Sequence, residues 1–285
     1  MNSTRLPPVR VERRTPSGFA KFQAPWVPFP DGVAIIKAMA RLIERPDEGR
    51  PMNLAVIAES GFGKSHLLDH FADLYPDQVG QVPARLQVVL FSVTSQCDGR
   101  ALLRGLLSAI GASFKANDPY DELLRDFTIK ASVAEVGLVV LDEFHNGICS
   151  RRDKTISMIT AVRDVSNYLR RPIVVGGDTR VKELLRYDKQ LMERFEVREL
   201  PVWSEKESIK RFLAAFELTL DMPEPSRLGT DSVADLVVSL AGDHMGSIAE
   251  LVRESGKVAQ KVGAKSIAPV HIKKARELTQ RGIPA

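Results

Sequence analysis

The chain has 285 residues, 44% of them hydrophobic and 27% charged, enough for one large α/β domain and a small second one. No apolar run approaches the roughly 20 residues that span a bilayer, and the Pro- and Arg-rich start has no secretory pattern, so a cytoplasmic protein is expected. Two cysteines, Cys97 and Cys149, make no disulfide framework, and a net charge of +4 with a pI near 9.1 permits nucleic-acid binding without establishing it.

Residues 1–30 carry many prolines and little periodicity, which predicts an extended arm docked through Phe19, Phe22, Trp26 and Phe29. Asp31 reads as an N-cap, followed by a helix with Ile36, Met39, Ala40 and Ile43 on one face and Pro46 as its stop. Leu54–Ile57 is the first predicted strand and Leu86–Val93 the second, nearly all apolar as a buried parallel strand should be. A helix is predicted over 99–110, a strand over 137–141, a helix over 153–170, and strands over 172–176 and 195–200. Strands alternating with helices predict a five-stranded parallel sheet flanked by helices.

After Pro201 the pattern is helical only. Ser204-Glu205-Lys206-Glu207 is a capping box opening a helix to about Glu217, and further helices are predicted near 230–241, 247–262 and 269–281. The expected organisation is an arm over 1–30, a nucleotide-binding α/β domain over 31–201 and a helical lid domain over 202–285.

The segment Ala58-Glu59-Ser60-Gly61-Phe62-Gly63-Lys64-Ser65 lies between the first strand and the apolar-periodic run starting at His66. Strand, glycine-bearing loop, Lys-Ser and helix is the layout of a phosphate-binding P-loop. Backbone N–H groups from Glu59, Ser60, Gly61, Phe62 and Gly63 to Lys64, Ser65 and His66 would face polyphosphate oxygens. Lys64 would reach the β- and γ-phosphates, and Ser65 would ligate Mg²⁺. Ala58 stands where the consensus has Gly. Either that position needs no left-handed residue or the loop bends differently.

Leu138–Leu141 ends in Asp142-Glu143, an apolar strand delivering two carboxylates at its C-terminal edge. After a P-loop this is a Walker B arrangement: Asp142 for Mg²⁺, Glu143 to polarise the attacking water. Asp142-Glu143-Phe144-His145 also matches the D-E-x-H box of helicases, a weaker reading because no second RecA-like domain follows. His66 and His70 lie four apart but lack the Glu of a metalloprotease helix. They read as surface or packing residues, and Cys97 and Cys149 have no catalytic partner.

With these motifs in order, the chain resembles the AAA+ transposition ATPases of the TniB/TnsC type from about Trp26 to about Gly256. The resemblance rests on Val27–Pro30, Arg50–Leu54, Leu141–Asn146, Asp188–Phe195 followed by Leu200–Trp203, and Gly246–Leu251. It implies an AAA+ P-loop ATPase that assembles on duplex DNA with ATP as a ring or helical filament. It further implies a DDE transposase and a target-selection adaptor of the TniQ type as partners. Carried over by residue, Arg194 matches the finger that reaches a neighbour's γ-phosphate, with Arg186 and Arg198 in reserve; the plain alternative pairs Arg194 with Glu193 or Glu196. Asp178 stands where the family usually has the Thr of a sensor 1 Gly-Thr pair, so Thr179 or Arg180 takes over the role or Asp178 points away. No sensor 2 arginine lies near Met245–Ser247.

The same resemblance implies phosphate contacts from Gln96, Arg100, Arg104 and Lys115, with Arg151, Arg152 and Lys154 as a second cluster; each also reads as a solvated helix face. Lys257, Lys261, Lys265, Lys273, Lys274 and Arg276 are read mainly as a soluble face. Two rival functions share the core: a helicase-loader-like adaptor, and a protein-binding ATP switch, against which Glu143 argues.

Overall fold

The structure, a computed structural model, describes residues 26, 28–44, 51–76, 86–200, 206–242 and 244–280. Most of the expected N-terminal arm, Pro46, and Ser204 and Glu205 of the capping box lie outside the described residues. The chain divides into two compact units, the first including Gly32–Ala58 and Lys64–Leu200, the second Glu59–Gly63 and Pro201–Ala285.

In the first unit β1 (Asn53–Ile57), β2 (Val88–Ser92), β3 (Leu138–Asp142), β4 (Ile173–Gly177) and β5 (Phe195–Glu199) form one sheet. Its order is β2-β3-β4-β1-β5 and every pairing is parallel. The three central strands are buried along their whole length, which is why their sequences run apolar without alternation. Edge strand β5 is buried only at Phe195 and carries Glu196, Arg198 and Glu199.

One sheet face, with Ala55, Ile57, Val139, Leu141, Ile173 and Val175, joins a core shared with α3 (Gly99–Ala109), α4 (Tyr120–Val133) and α5 (Arg152–Leu169). These follow α1 (Pro30–Glu44) and α2 (Lys64–Asp73) in the chain. No element is expected over 120–133, yet α4 buries Leu123, Leu124, Phe127 and Ala131 at helical spacing after Pro119. Helix α1 starts at Pro30, so Asp31 falls in its first turn and is not the N-cap; proline suits that position because its missing N–H would have no helical partner. The fully buried residues of α1 are Gly32, Ile35 and Met39, so the inward face is centred beside the expected one.

Short helices α6 (Val181–Leu185) and α7 (Lys189–Met192) lie between β4 and β5. In the second unit, α8 (Lys206–Glu217), α9 (Asp231–Ala241), α10 (Met245–Lys261) and α11 (Pro269–Gln280) pack on one another through Phe212, Leu213, Val237, Ile248, Val252 and Ile272. The Glu217 carboxylate accepts the N–H groups of Arg227 (2.9 Å) and Leu228 (2.7 Å), closing the loop between α8 and α9.

Candidate active site

A parallel sheet sends every strand's C-terminal end to one edge, and β1 sits where the connections diverge to opposite sides. That is the crevice in which open α/β sheets bind ligands. Lys64 (first residue of α2), Asp142-Glu143 (end of β3) and Asp178 (after β4) all belong to this edge.

Lys64 Nζ donates to Asp142 Oδ1 and to Glu143 Oε1, each at 2.8 Å. Its side chain is 7% exposed and that of Asp142 10%, so the charges need one another's company. Burial pulls the Lys64 pKa down, but Asp142 and then Glu143 more than reverse it and leave it raised. Glu143 has φ 52°, a left-handed backbone that is uncommon outside glycine and clusters at functional sites. The turn is pinned by Glu143 N–H to Asp142 Oδ1 (2.8 Å) and by Asn146 Nδ2 to the Val93 carbonyl (2.9 Å).

Two neighbouring glycines make this approach possible. A Cβ on Gly176 would lie 2.6 Å from Leu68 Cδ1 and 3.1 Å from Asp142 Oδ1. A Cβ on Gly177 would clash with Val181 Cγ2 and lie 3.1 Å from His145 Nδ1. Sequence reasoning takes Gly176 only as a strand end; the residues it admits come from distant segments.

In the loop itself Gly61 (φ 85°) and Gly63 (φ 78°) hold the left-handed positions, and Ala58 is not among the positive-φ residues. Ala58 N–H instead donates to the Gly177 carbonyl (3.0 Å), continuing the β1–β4 ladder. The missing consensus glycine is therefore not needed. Within the second unit, Gly246 N–H donates to the Gly61 carbonyl (2.9 Å), and the Phe62 and His244 rings meet edge-on at 5.2 Å. Ser65 is exposed and His66 half-buried.

The donor set fits ATP with a divalent cation: an ammonium for phosphate, and a Ser65 hydroxyl and Asp142 carboxylate for Mg²⁺. Among the described residues no cluster of three His, Cys, Asp or Glu is placed to hold a metal by those side chains alone. Burial, with Asp98 and Cys149 nearby, pushes the Cys97 thiol up to about 12, so it is no thiolate nucleophile.

Asp178 is held by Arg180, whose Nε donates to both carboxylate oxygens at 3.0 Å. Burial works to raise the Asp178 pKa, and the Arg180 hydrogen bonds overcome it, leaving it lowered. Arg194 donates from Nη1 to Asn167 Oδ1 (2.9 Å), not to Glu193 or Glu196. Arg198 is engaged with Glu196 (2.7 Å) and the Ala34 carbonyl (3.3 Å), while Arg186 is exposed.

Of the residues considered for DNA, Arg100 and Arg151 line one open cleft of about 250 Å³ with Asp98, Asp153, Lys154 and Ser157. Gly99 lets the starts of α3 and α5 meet there, since a Cβ on it would lie 2.7 Å from the Ser157 carbonyl. Arg151 pairs with Asp153 (2.6 Å). Gln96, Arg104, Lys115 and Arg152 are not in this lining. Arg104 holds the Ala116 carbonyl (2.9 Å), Arg152 lies 5.8 Å over the Tyr187 ring, and Gln96 and Lys115 are exposed. Lys257, Lys265 and Lys274 pair with Glu254, Glu224 and Glu277.

The sheet order, the P-loop after β1 and the acidic pair after β3 define an AAA+ P-loop NTPase. Solved structures agree on the fold. The ORC2 protein of Aeropyrum pernix, described as ADPNP-ADP complexes, superposes with a TM-score of 0.65 at 15% identity, covering 86% of this chain and 66% of that one. The ORC1 protein of the same organism in complex with DNA gives 0.64 at 14% identity, over 90% and 67%. Domain III of the Thermotoga maritima replication initiation protein DnaA gives 0.57 at 17%, over 88% and 92%. The chain thus spans about two thirds of the ORC2 protein's length. No curated protein matches the chain. The family described as "Bacterial TniB protein" matches residues 21–205, and this chain belongs to that family, whose members are AAA+ proteins associated with transposition. Among the described residues no helix is long and apolar enough to cross a membrane.

Proposed function

We infer that this protein hydrolyses ATP to regulate DNA transposition. It assembles on duplex DNA with ATP bound, as a ring or helical filament, and marks a target. It then recruits or activates a DDE transposase, with a target-selection adaptor of the TniQ type as a further partner. The observation that carries the reading is the Lys64–Asp142–Glu143 cluster in a TniB-family chain.

In this mechanism Lys64 leaves the carboxylates for the β- and γ-phosphates. Asp142 and Ser65 would hold Mg²⁺, which neutralises phosphate charge when bound. Glu143 accepts a proton from the water attacking the γ-phosphorus as the bond to the β–γ bridging oxygen breaks, giving ADP and phosphate. Arg194 acts on a neighbouring subunit's γ-phosphate, and its single exposed hydrogen bond to Asn167 leaves it easy to redirect. Arg100 and Lys154 contact DNA phosphates, which positions the protein without reading sequence.

Electron microscopy of the protein with duplex DNA and a slowly hydrolysed ATP analogue tests this. Rings or filaments that need both ligands are expected. Monomers under those conditions would refute the assembly.

A further inference from the structure

His145 has no task in the reading above, yet it sits between the two acidic strand ends. Its side chain is 12% exposed. Asp178 N–H donates to His145 Nδ1 (3.4 Å), which leaves the ring proton on Nε2. That Nε2 faces Glu143 Oε2 at 3.3 Å and Asp178 Oδ2 at 3.7 Å. Gly177 lets the ring lie there, and Arg180 grips Asp178 from the far side. Lys64 takes the other Glu143 oxygen.

We propose that His145 is a positioning residue for hydrolysis, holding the Glu143 carboxylate by Oε2 and tying it to the Asp178–Arg180 pair at the end of β4. The proposal rests on the ATPase reading. Glu143 has a flexible side chain, 36% exposed, on a left-handed backbone. Once phosphate draws Lys64 away, its Lys64 bond is lost and the Nε2–H donor remains. A carboxylate restrained at one oxygen keeps the other aimed at water, and the Nε2 proton leaves the ring no site to compete for the water's proton. Asp178 then serves as the support of His145, with Arg180 balancing its charge, which accounts for a carboxylate where a hydroxyl sensor is expected.

The test compares wild type, His145→Ala, His145→Asn, His145→Gln, Glu143→Gln and the Glu143→Gln/His145→Ala double variant. The readouts are kcat and KM for ATP, nucleotide affinity by calorimetry, and melting temperature. His145→Ala is expected to lower kcat roughly 10- to 100-fold, as loss of an orienting partner does, with KM and affinity unchanged. His145→Gln, long enough to donate to Glu143, should recover part of the loss, and the shorter Asn should not. In the Glu143→Gln background His145→Ala should cost nothing more, because the residue acts through Glu143. Wild-type kcat in His145→Ala, or a further loss in the double variant, overturns the proposal and leaves the ATPase reading standing. If His145→Ala does not fold, the Asn and Gln variants decide, and equal turnover in the two overturns it. A wild-type protein that does not hydrolyse ATP, or a Glu143→Gln variant that hydrolyses it normally, refutes both readings.

Discussion

Lys64 and Arg100 carry the same unit charge in opposite surroundings. Lys64 is 7% exposed and touches two carboxylates at 2.8 Å, while Arg100 is exposed and makes no ion pair among the described residues. A buried charge is tolerated only when paired, so Lys64 and Asp142 hold one another while no ligand is bound. A surface charge costs little to keep in water, so Arg100 needs no ionic partner in the cleft it lines with Lys154 and Ser157. The two regions differ in how much water each charge retains, and the proposed roles of chemistry at one and docking at the other rest on that difference.

The sharpest way to break this contrast is Lys64→Ala. It should abolish saturable ATP binding, turnover and ATP-dependent DNA binding together, read by calorimetry and filter binding. Undiminished DNA binding in that variant would uncouple the two regions. Next in size, Arg194→Ala should lower turnover by roughly 10³-fold, in the range of arginine-finger losses, while nucleotide affinity is kept. Mixing it with the Lys64 variant should partly restore hydrolysis, since each supplies what the other lacks. No rescue would move the finger elsewhere.

Smaller effects are expected at the wet region. Arg100→Ala with Lys154→Ala should weaken duplex binding for all sequences and flatten the logarithmic salt dependence by about 2, near 0.9 per lost phosphate contact. An unchanged slope would remove the cleft from the DNA path. Asp178 lies between the extremes, its side chain 20% exposed. Its folded pKa is lowered from the ordinary 3.8, so its contribution to stability is present above that value and lost as pH falls through the folded pKa. Melting curves taken down that acid limb should be flatter for Asp178→Asn, and identical limbs would show the pair to be without effect.

Much of this could be read along the chain. The P-loop, the apolar run ending at Asp142-Glu143 and the change to helices after Pro201 are local patterns, each set within a few residues by phosphate geometry or by burial on both sheet faces. The helix over Tyr120–Val133 carries a stripe of Leu123, Leu124, Phe127 and Ala131 after Pro119, but the polar residues interleaved with it mask the period. Three features had no local signal. Gly176 makes room for Leu68 and Asp142, Gly99 for Ser157, and His145 meets Asp178 across 33 positions.

The sequence alone thus determined the class of ligand and the strand ends that would carry its chemistry, because motif and burial patterns are short-range. Only the tertiary structure decided what those side chains do before a ligand arrives. The parallel order β2-β3-β4-β1-β5 brings the ends of β3 and β4 together at one edge with the start of α2. There Lys64 pairs with two carboxylates, Arg180 pairs with Asp178, and His145 Nε2 lies 3.3 Å from Glu143 and 3.7 Å from Asp178. Ion pairing at low exposure depends on distances of a few ångströms between segments far apart in the chain, and only the fold sets those.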